Sequence, residues 1–266
     1  MAPPAFPDPL RRIILWIFYL FWRQVSTGHG ALIGVYWQKG GIGMELYPLL
    51  GIEKGVTAII GSGGKSTLLH TLAMELPGRV LLCTSTHFRA YDDLPLAVNP
   101  TAEGLRRLFV SHKAICAGKK NKQGKLRDCG LPYELLASVA DYVLVEADGS
   151  RQLPLKAHAA HEPVVPPCSR QVICVVGMSG LHRPVREAVH RPELFCPLAG
   201  CNPEDEVTAE LVARGLLREG LADTVFLNQA ESDSILQDAA VIASRLKLEG
   251  LRVVCGSQRQ QQYKVL

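Results

Sequence analysis

The 266-residue sequence lacks the features that would place it outside the ordinary globular classes. Its eight cysteines include no C-x-x-C pair, which in a chain of this length excludes a disulfide framework and a zinc ribbon. Reduced thiols in a cytoplasmic protein are therefore expected. The formal charge is only +4 and no basic stripe stands out, so nucleic acid is not an expected partner. Internal repeats and long disordered tracts are also missing.

The sequence also lacks an apolar run of the roughly 20 residues that a membrane-spanning helix needs. The candidate at residues 13–22, IILWIFYLFW, is half that length, lies between arginines, and has no small-x-small cleavage site close behind it. A membrane location is therefore not expected. Residues 1–43 differ in composition from the text that follows. We interpret them as an N-terminal extension outside the core fold. A partner-binding or interfacial arm and a targeting segment are the alternatives.

From residue 44 onward, apolar runs alternate with helix-like stretches, which is typical of a parallel sheet with crossover helices. Residues 114–130, AICAGKKNKQGKLRDCG, form two extended pieces around a basic turn that contains glycine. The pattern predicts an α/β fold of the three-layer P-loop NTPase-like kind, with a mostly parallel sheet and a small hairpin excursion. Residues 44–266 would form this nucleotide-binding domain.

The segment GSGGKST lies between the apolar run VTAII and a helix-like stretch. It matches the short pattern G-x-x-G-K-[ST], in which glycines let backbone amides converge on phosphate oxygens at a helix N-terminus. The lysine would reach the terminal phosphates, and the hydroxyl would bind Mg²⁺. A glycine-rich turn without a ligand is the alternative. The predicted nucleotide-binding residues are Gly61, Ser62, Gly63, Gly64, Lys65, Ser66 and Thr67.

Two acidic residues follow another apolar strand, in YVLVEADGS. P-loop sheets carry a carboxylate at this place, where it meets Mg²⁺ directly or through water. An ordinary acidic turn is the alternative. The predicted catalytic residues are Lys65, Glu146 and Asp148, and the predicted Mg²⁺ ligands are Ser66, Glu146 and Asp148.

A third pattern, LNQAE, ends a strand near the C-terminus. Guanine-specific P-loop proteins have N-K-x-D here, whereas this chain has glutamine for lysine and Glu231 for aspartate. Asn228 and Glu231 are therefore predicted to bind the nucleotide base, with the choice between ATP and GTP open. A strand-to-helix turn with an N-cap is the alternative.

The motifs GSGGKSTLL, TSTHF, EADGSRQLPLKAHAAHEPVVP, VVGMSGLHRPV, VHRPELF and LNQAE follow one another in the order of the YqeC family. The chain resembles these selenium-dependent hydroxylase accessory proteins over roughly residues 44–255. It departs from their pattern at Ser66, Ser85 and Glu231. The resemblance implies a cytoplasmic P-loop protein that matures selenium-dependent molybdenum hydroxylases of the xanthine dehydrogenase type.

Further polar residues are expected at the carboxyl edge of the sheet, where ligands bind in open α/β folds. Thr84, Thr86 and His87 are predicted to contact phosphate, Mg²⁺ or a substrate. Ser150, Arg151 and Lys156 form a charged cluster with Asp148 that would bind an anionic partner or act as an arginine finger. Weaker candidates are His161 with Glu162, and His190 with Arg191.

These patterns favour a nucleotide-dependent maturation factor that is a weak Mg²⁺-dependent NTPase. Its expected partner is the client hydroxylase or the machinery that makes its cofactor. One alternative is a P-loop small-molecule kinase or ATP-dependent ligase. Another is an adaptor that binds nucleotide without hydrolysing it.

Overall fold

The computed structural model describes residues 45–266. The predicted extension at residues 1–43 lies outside the described residues, so its assignment stays a prediction. Within the described residues the chain is α/β, with one large, mostly parallel sheet and helices packed against both of its faces. The predicted fold class is confirmed.

Strands occur along the whole described part of the chain, from residue 55 to residue 265. In chain order they are β1 (Gly55–Gly61), β2 (Val80–Thr84), β3 (His87–Phe88), β4 (Leu96–Val98), β5 (Ala114–Lys120), β6 (Leu126–Arg127), β7 (Tyr142–Glu146), β8 (Leu155–Lys156), β9 (Ser169–Gly177), β10 (Val189–His190), β11 (Thr224–Asn228), β12 (Arg252–Ser257) and β13 (Gln262–Val265).

Helices connect most of these strands. They are α1 (Leu46–Leu50), α2 (Lys65–Glu75), α3 (Ala102–Leu108), α4 (Tyr133–Val139), α5 (Val185–Ala188), α6 (Pro192–Ala199), α7 (Ala209–Glu219) and α8 (Asp233–Leu248). A short 3₁₀ turn, Met178–Gly180, follows β9. Thr101, Thr208 and Ser232 cap α3, α7 and α8 by accepting a backbone N–H three residues ahead.

The parallel strands run in the spatial order β12, β11, β9, β1, β7, β2, β5. Strand β1 is central, pairing with β7 on one side and β9 on the other. Because all of these strands are parallel, their carboxyl ends meet at one edge of the sheet. The loop after β1, the acidic segment after β7 and the asparagine that ends β11 are thereby placed along the same edge.

Side chains on successive positions of the strands pack into opposite layers, as the two-residue repeat of a strand requires. Ile59 and Leu144 face the layer that contains α1 and α2, whereas Ile60 and Val145 face the other helices. Two strands of the sheet, β5 and β6, form the predicted hairpin, paired antiparallel through Lys119 and Arg127. The core therefore lies on both faces of the sheet.

Candidate functional site

The glycine-rich loop connects the central strand to the first long helix. Strand β1 ends at Gly61, and α2 begins four residues later at Lys65. Gly63 and Gly64 have φ angles of +82° and +127°, a backbone that residues with a side chain rarely adopt. A Cβ at Gly63 would lie 2.3 Å from the Cα of Gly177, so the neighbouring strand leaves no room for a side chain. The sequence therefore fixes a tight turn at this point.

This turn presents a row of free backbone amides. The N–H of Ser62 donates to the carbonyl of Val175, and the first bond into the helix is Leu68 N–H to the carbonyl of Gly64. Between them, the five N–H groups of residues 63–67 have no hydrogen-bond acceptor within residues 45–266. Consecutive free amides at a helix N-terminus make a binding site for an anion.

A cavity of about 420 Å³ opens in front of these amides, which we call the phosphate cavity. Glu146 and Arg183 are among the residues that line it. The hydroxyl groups of Ser66 and Thr67 are exposed there and make no hydrogen bond within the described part of the chain. The remaining lining residues are Gly63, Gly64, Lys65, Ser150, Gln152, Leu153, Pro154, Ser179 and Gln229.

Lys65 lies at the base of the loop with its side chain only 4% exposed. Its Nζ donates to the carbonyl of Gly61 at 2.7 Å. The same ammonium lies 3.0 Å from Oδ1 of Asp148 and 3.9 Å from Oε1 of Glu146. The loop lysine and both predicted carboxylates are thus brought together.

Asp148 lies beneath the loop and is completely buried. Its Oδ2 accepts from the N–H of Gly61 and from His158 Nε2, each at 2.8 Å, and lies 3.1 Å from Lys156 Nζ. Burial alone would raise the pKa of this carboxyl group. The hydrogen bond from His158 and the charges of Lys65 and Lys156 outweigh burial and lower the pKa to about 2. The structure therefore places Asp148 under the loop, and not at the cavity wall where a metal ligand was predicted.

Glu146 has the opposite environment. It lines the phosphate cavity, and its Oε2 has no hydrogen-bond partner among the described residues although it is buried. Burial raises the pKa of Glu146 to about 7, against the opposing charge of Lys65. Mg²⁺ is usually held by one or two carboxylates together with phosphate oxygens. An orphaned carboxylate oxygen in a cavity that Ser66 also lines fits such an ion.

The charges around Asp148 continue away from the loop. Lys156 Nζ contacts Oε2 of Glu162 at 2.6 Å, and Arg191 Nη1 donates to the same oxygen at 2.7 Å. In the other direction, His158 Nδ1 lies 2.9 Å from Oε2 of Glu219, at the end of α7. The predicted residue Lys156 is thus a buried link, and Glu162 pairs with cations and not with His161.

The residues predicted to bind the base line a neighbouring cavity of about 420 Å³, the base cavity. Asn228 donates from Nδ2 to the carbonyl of Gly63 at 2.8 Å, so it braces the loop directly. Glu231 borders this cavity, and the hydroxyl of Ser257 donates to its Oε1 at 2.9 Å. The N-cap of α8 is Ser232 and not Asn228, so the asparagine has no capping role.

The residues of TSTHF are close to the site but outside its cavities. Thr84 is buried and its hydroxyl donates to the carbonyl of Glu146 at 2.8 Å, which ties β2 to the end of β7. The N–H of Thr86 donates back to this hydroxyl at 2.9 Å. His87 is exposed on β3, opposite Arg127 of the hairpin. A contact of these three residues with a ligand stays a prediction.

A family model and a curated relative both match this chain. A family model described as "YqeC protein" matches residues 57–193, slightly more than half of the chain. The chain belongs to the YqeC family. A curated relative from Escherichia coli strain K12, named "Uncharacterized protein YqeC", is 34% identical over 173 aligned residues. That alignment covers 58% of this chain and 65% of the relative, so this chain spans less than two thirds of the relative's length.

The stretch that matches the YqeC family model contains the loop, both carboxylates and the buried charges that follow them. Asn228 and Glu231 lie beyond it. Within residues 45–266, no group of three His, Cys, Asp or Glu side chains is arranged to hold a metal ion. In the same residues, no helix is long and apolar enough to cross a membrane.

Two residues of this YqeC-family chain were not singled out from the sequence. Arg183 reaches the phosphate cavity from the loop after β9. Its backbone is held because the N–H of Val207 donates to its carbonyl at 2.9 Å, and its neighbour His182 contacts Glu206 and Asp238. His158 joins two carboxylates below the loop. The motifs LHRP and KAHAAHE contain these residues, but no spacing rule marks either one.

Proposed function

We propose that this chain binds a Mg²⁺-nucleoside triphosphate through the loop at residues 61–67. The observation that carries the proposal is the row of five free amides facing the phosphate cavity, with the lysine beside them. Any helix leaves its first four amides to capping side chains or to solvent. Here the N-cap is Gly64, which has no side chain to cap the helix, and the free amides extend back to Gly63 and line a cavity together with Lys65. A triphosphate would satisfy all of them at once.

The residues that line the phosphate cavity would have different roles in binding the nucleotide and its ion. The loop amides and Lys65 would bind the phosphate oxygens, and Ser66 with Glu146 would hold the ion. Mg²⁺, when bound, neutralises charge that develops on the phosphates. Asp148 would position the lysine and the loop from below. Arg183, which lines the same cavity, would contact the terminal phosphate.

The residues of the base cavity support a proposed preference for guanine over adenine. A carboxylate at Glu231 can accept from both N–H groups on the edge of guanine, whereas adenine presents an acceptor nitrogen on that edge. The hydroxyl of Ser257 holds this carboxylate in place. We therefore infer that GTP is the preferred nucleotide.

The cellular role we propose is the maturation of selenium-dependent molybdenum hydroxylases, by synthesis or insertion of the selenium cofactor. Family membership supports this role at a general level. A client hydroxylase or its cofactor machinery would be the partner, in the cytoplasm. The free thiols of all eight cysteines are compatible with a reducing compartment.

A second candidate is an NTP-dependent small-molecule kinase or ligase. A specific feature favours it, since another cavity shares Ser150 and Leu153 with the phosphate cavity and could hold an acceptor. Analysis of the products separates these activities. Release of phosphate alone supports the maturation factor, and transfer to an acceptor supports the kinase or ligase. Nucleotide binding without any turnover supports the adaptor.

Calorimetric titration of the full chain with GTP and ATP in the presence of Mg²⁺ tests nucleotide binding. We expect Lys65→Ala to weaken binding by about tenfold to a hundredfold, the range for a charge-assisted hydrogen bond. Lys54→Ala is the matched control, because Lys54 pairs with Asp141 at the other end of β1. Equal nucleotide affinity of the Lys65→Ala and Lys54→Ala proteins would refute the loop assignment.

The cellular role has a separate test. In a strain without this protein, we expect the activity of the selenium-dependent hydroxylase and its selenium content to fall. The wild-type chain should restore both, and the Lys65→Ala variant should restore neither. Normal selenium content in the strain without the protein would exclude the maturation role while leaving nucleotide binding intact.

A further inference from the structure

We propose that a second cavity beside the phosphate cavity binds a small molecule carrying a phosphate or carboxylate group. We call this molecule the second substrate, and only that name rests on the proposed function. The cavity has a volume of about 530 Å³, within the range for small-molecule sites. Ser150 and Leu153 line both cavities, so a ligand here would lie next to the bound triphosphate. We call it the acceptor cavity.

Arg151 supplies a free positive charge to the acceptor cavity. Its side chain makes no hydrogen bond or ion pair within residues 45–266, and the residue is exposed. An arginine that points into a cavity without a carboxylate partner is available for an oxyanion, which its planar fork can bind through two parallel hydrogen bonds.

Arg191 supplies a second cation to the same cavity. One of its nitrogens donates to Oε2 of Glu162, and the other donors of its guanidinium group have no acceptor within the described part of the chain. Glu162 is shared with Lys156, whose side chain is fully buried. The carboxylate of Glu162 is shared between these two cations, Lys156 is also paired with Asp148, and the Arg191 guanidinium keeps free donors beside the cavity.

These cations also change the pKa of His190. Partial burial lowers the pKa of His190, and the charges of Arg191, Lys156 and Arg151 lower it further. His190 lines the acceptor cavity together with the two arginines, and because its pKa is lowered it offers a neutral imidazole at neutral pH. The wall then combines two guanidinium groups with a hydrogen-bonding ring, which suits an anion that also has polar atoms.

The backbone at both arginines is held in an unfavourable conformation. Arg151 and Arg191 have φ angles of +48° and +66°, and Gln152 beside them has +64°. Such angles cost free energy in residues with a side chain, and they concentrate at ligand sites. Seven non-glycine residues have positive φ within residues 45–266, and four of them line the phosphate, base or acceptor cavities. This concentration supports a binding role for the two arginines.

Glu193 also lines the acceptor cavity and narrows the class of ligand. Its carboxylate lies in the first turn of α6 and is exposed. A hydroxyl or amino group of the ligand could donate a hydrogen bond to this carboxylate. The arrangement therefore favours a molecule that carries a hydroxyl or amino group in addition to its oxyanion.

Protection of arginines from phenylglyoxal, read by peptide mass spectrometry, tests this site in the full-length protein. Inorganic phosphate and malonate are the probes, so that a phosphate site and a carboxylate site can be told apart. We expect either probe to slow modification of Arg151 and Arg191 without slowing that of Arg106, an exposed arginine of α3. Because each arginine is read separately, binding of phosphate at the loop does not interfere.

GTP provides the second arm of the same experiment. Protection of Arg183 by GTP reports on the proposed nucleotide site, and protection of Arg151 by a probe reports on the acceptor cavity. The two proposals can therefore fail separately. If neither phosphate nor malonate changes the rates at Arg151 and Arg191, the acceptor cavity is not an anion site.

Substitution gives an independent measurement. We expect Arg151→Gln to weaken binding of the protecting probe by about tenfold, which corresponds to about 1.4 kcal/mol. Arg106→Gln removes the same charge far from the cavity and should leave the affinity unchanged. Because Arg151 has no partner within the described residues, its substitution should not affect folding. Equal probe affinity in the two variants would overturn the proposal.

Discussion

The ammonium group of Lys65 lies 3.0 Å from Oδ1 of Asp148, and both side chains are almost completely buried. Oδ1 receives no well-aligned hydrogen bond from the described residues, so this contact is an ion pair. The other oxygen accepts from the N–H of Gly61. One carboxylate therefore holds both the loop backbone and the lysine that the loop carries.

Asp148→Asn should destabilise the protein strongly. The substitution leaves Lys65 and Lys156 buried without their shared negative charge, and breaking a buried ion pair costs about 3–5 kcal/mol. Urea denaturation at pH 7 measures the change in the free energy of unfolding. Asp93→Asn is the control, because Asp93 pairs with His70 at the surface, where an ion pair contributes at most about 1 kcal/mol. Similar losses of unfolding free energy in the two variants would mean that the buried ion pairs of Asp148 stabilise the protein no more than a surface ion pair does.

The lowered pKa of Asp148 predicts that the stability of the folded protein depends on pH in the acid range. The pKa of Asp148 is about 2 in the folded protein and 3.8 in its ordinary state. Its stabilising contribution is thus complete above pH 3.8 and is lost as the pH falls towards 2. We expect the difference in unfolding free energy between wild type and Asp148→Asn to shrink over that interval. A difference that stays constant with pH would contradict the assigned ionisation.

Glu146 should show the opposite pH dependence. Burial raises its pKa from 4.5 to about 7, so this carboxyl group favours folding below pH 4.5 and loses that contribution as the pH rises to 7. The expected size is on the order of 3 kcal/mol. Relative to wild type, Glu146→Gln should therefore become more stable between pH 5 and pH 8. Denaturation series at both pH values measure this, and a shift towards lower relative stability would refute the prediction.

Much of the phosphate cavity could be predicted because its parts are local in the sequence. The glycines, Lys65 and Ser66 form one continuous segment after an apolar strand, and Glu146 ends a second apolar strand. In a parallel sheet such strand ends meet at one edge whatever the intervening chain does. Strand periodicity and one short motif were therefore sufficient for the fold class and for half of the site.

The remaining parts could not be predicted from local patterns. Arg183 reaches the phosphate cavity from a loop whose course depends on the left-handed residue His182 and on contacts with a distant segment. The distinct environments of Glu146 and Asp148 depend on which of them faces inwards. Because Glu146 and Asp148 are only two residues apart, the sequence suggested the same role for both. In the structure Asp148 is buried under the loop and pairs with lysine, whereas Glu146 faces the cavity.

Arg183→Ala should reduce turnover more than binding. Arg183 lines the phosphate cavity and has no side-chain partner within residues 45–266. If the cavity binds a nucleoside triphosphate as proposed, a cation at that position would stabilise charge on the transferred phosphoryl group mainly in the transition state, and its loss would lower kcat on the order of 10³-fold. Phosphate release under saturating nucleotide measures kcat, and calorimetry measures the Kd. Arg89→Ala, at an exposed site after β3, is the control. A large rise in Kd with unchanged kcat would assign Arg183 to binding instead.

Glu231→Gln should reduce the preference for GTP. The carboxylate is fixed by the hydroxyl of Ser257 beside Asn228, where it can accept two hydrogen bonds from guanine. A glutamine keeps the shape of the side chain but can accept only one of them, and loss of a charge-assisted bond costs about 1.5–3 kcal/mol. We expect GTP to bind about tenfold to a hundredfold more weakly, with little change for ATP, because adenine makes no such pair. Competition titrations of both nucleotides measure this selectivity. Equal losses for ATP and GTP would mean that Glu231 supports the cavity wall and does not select the base.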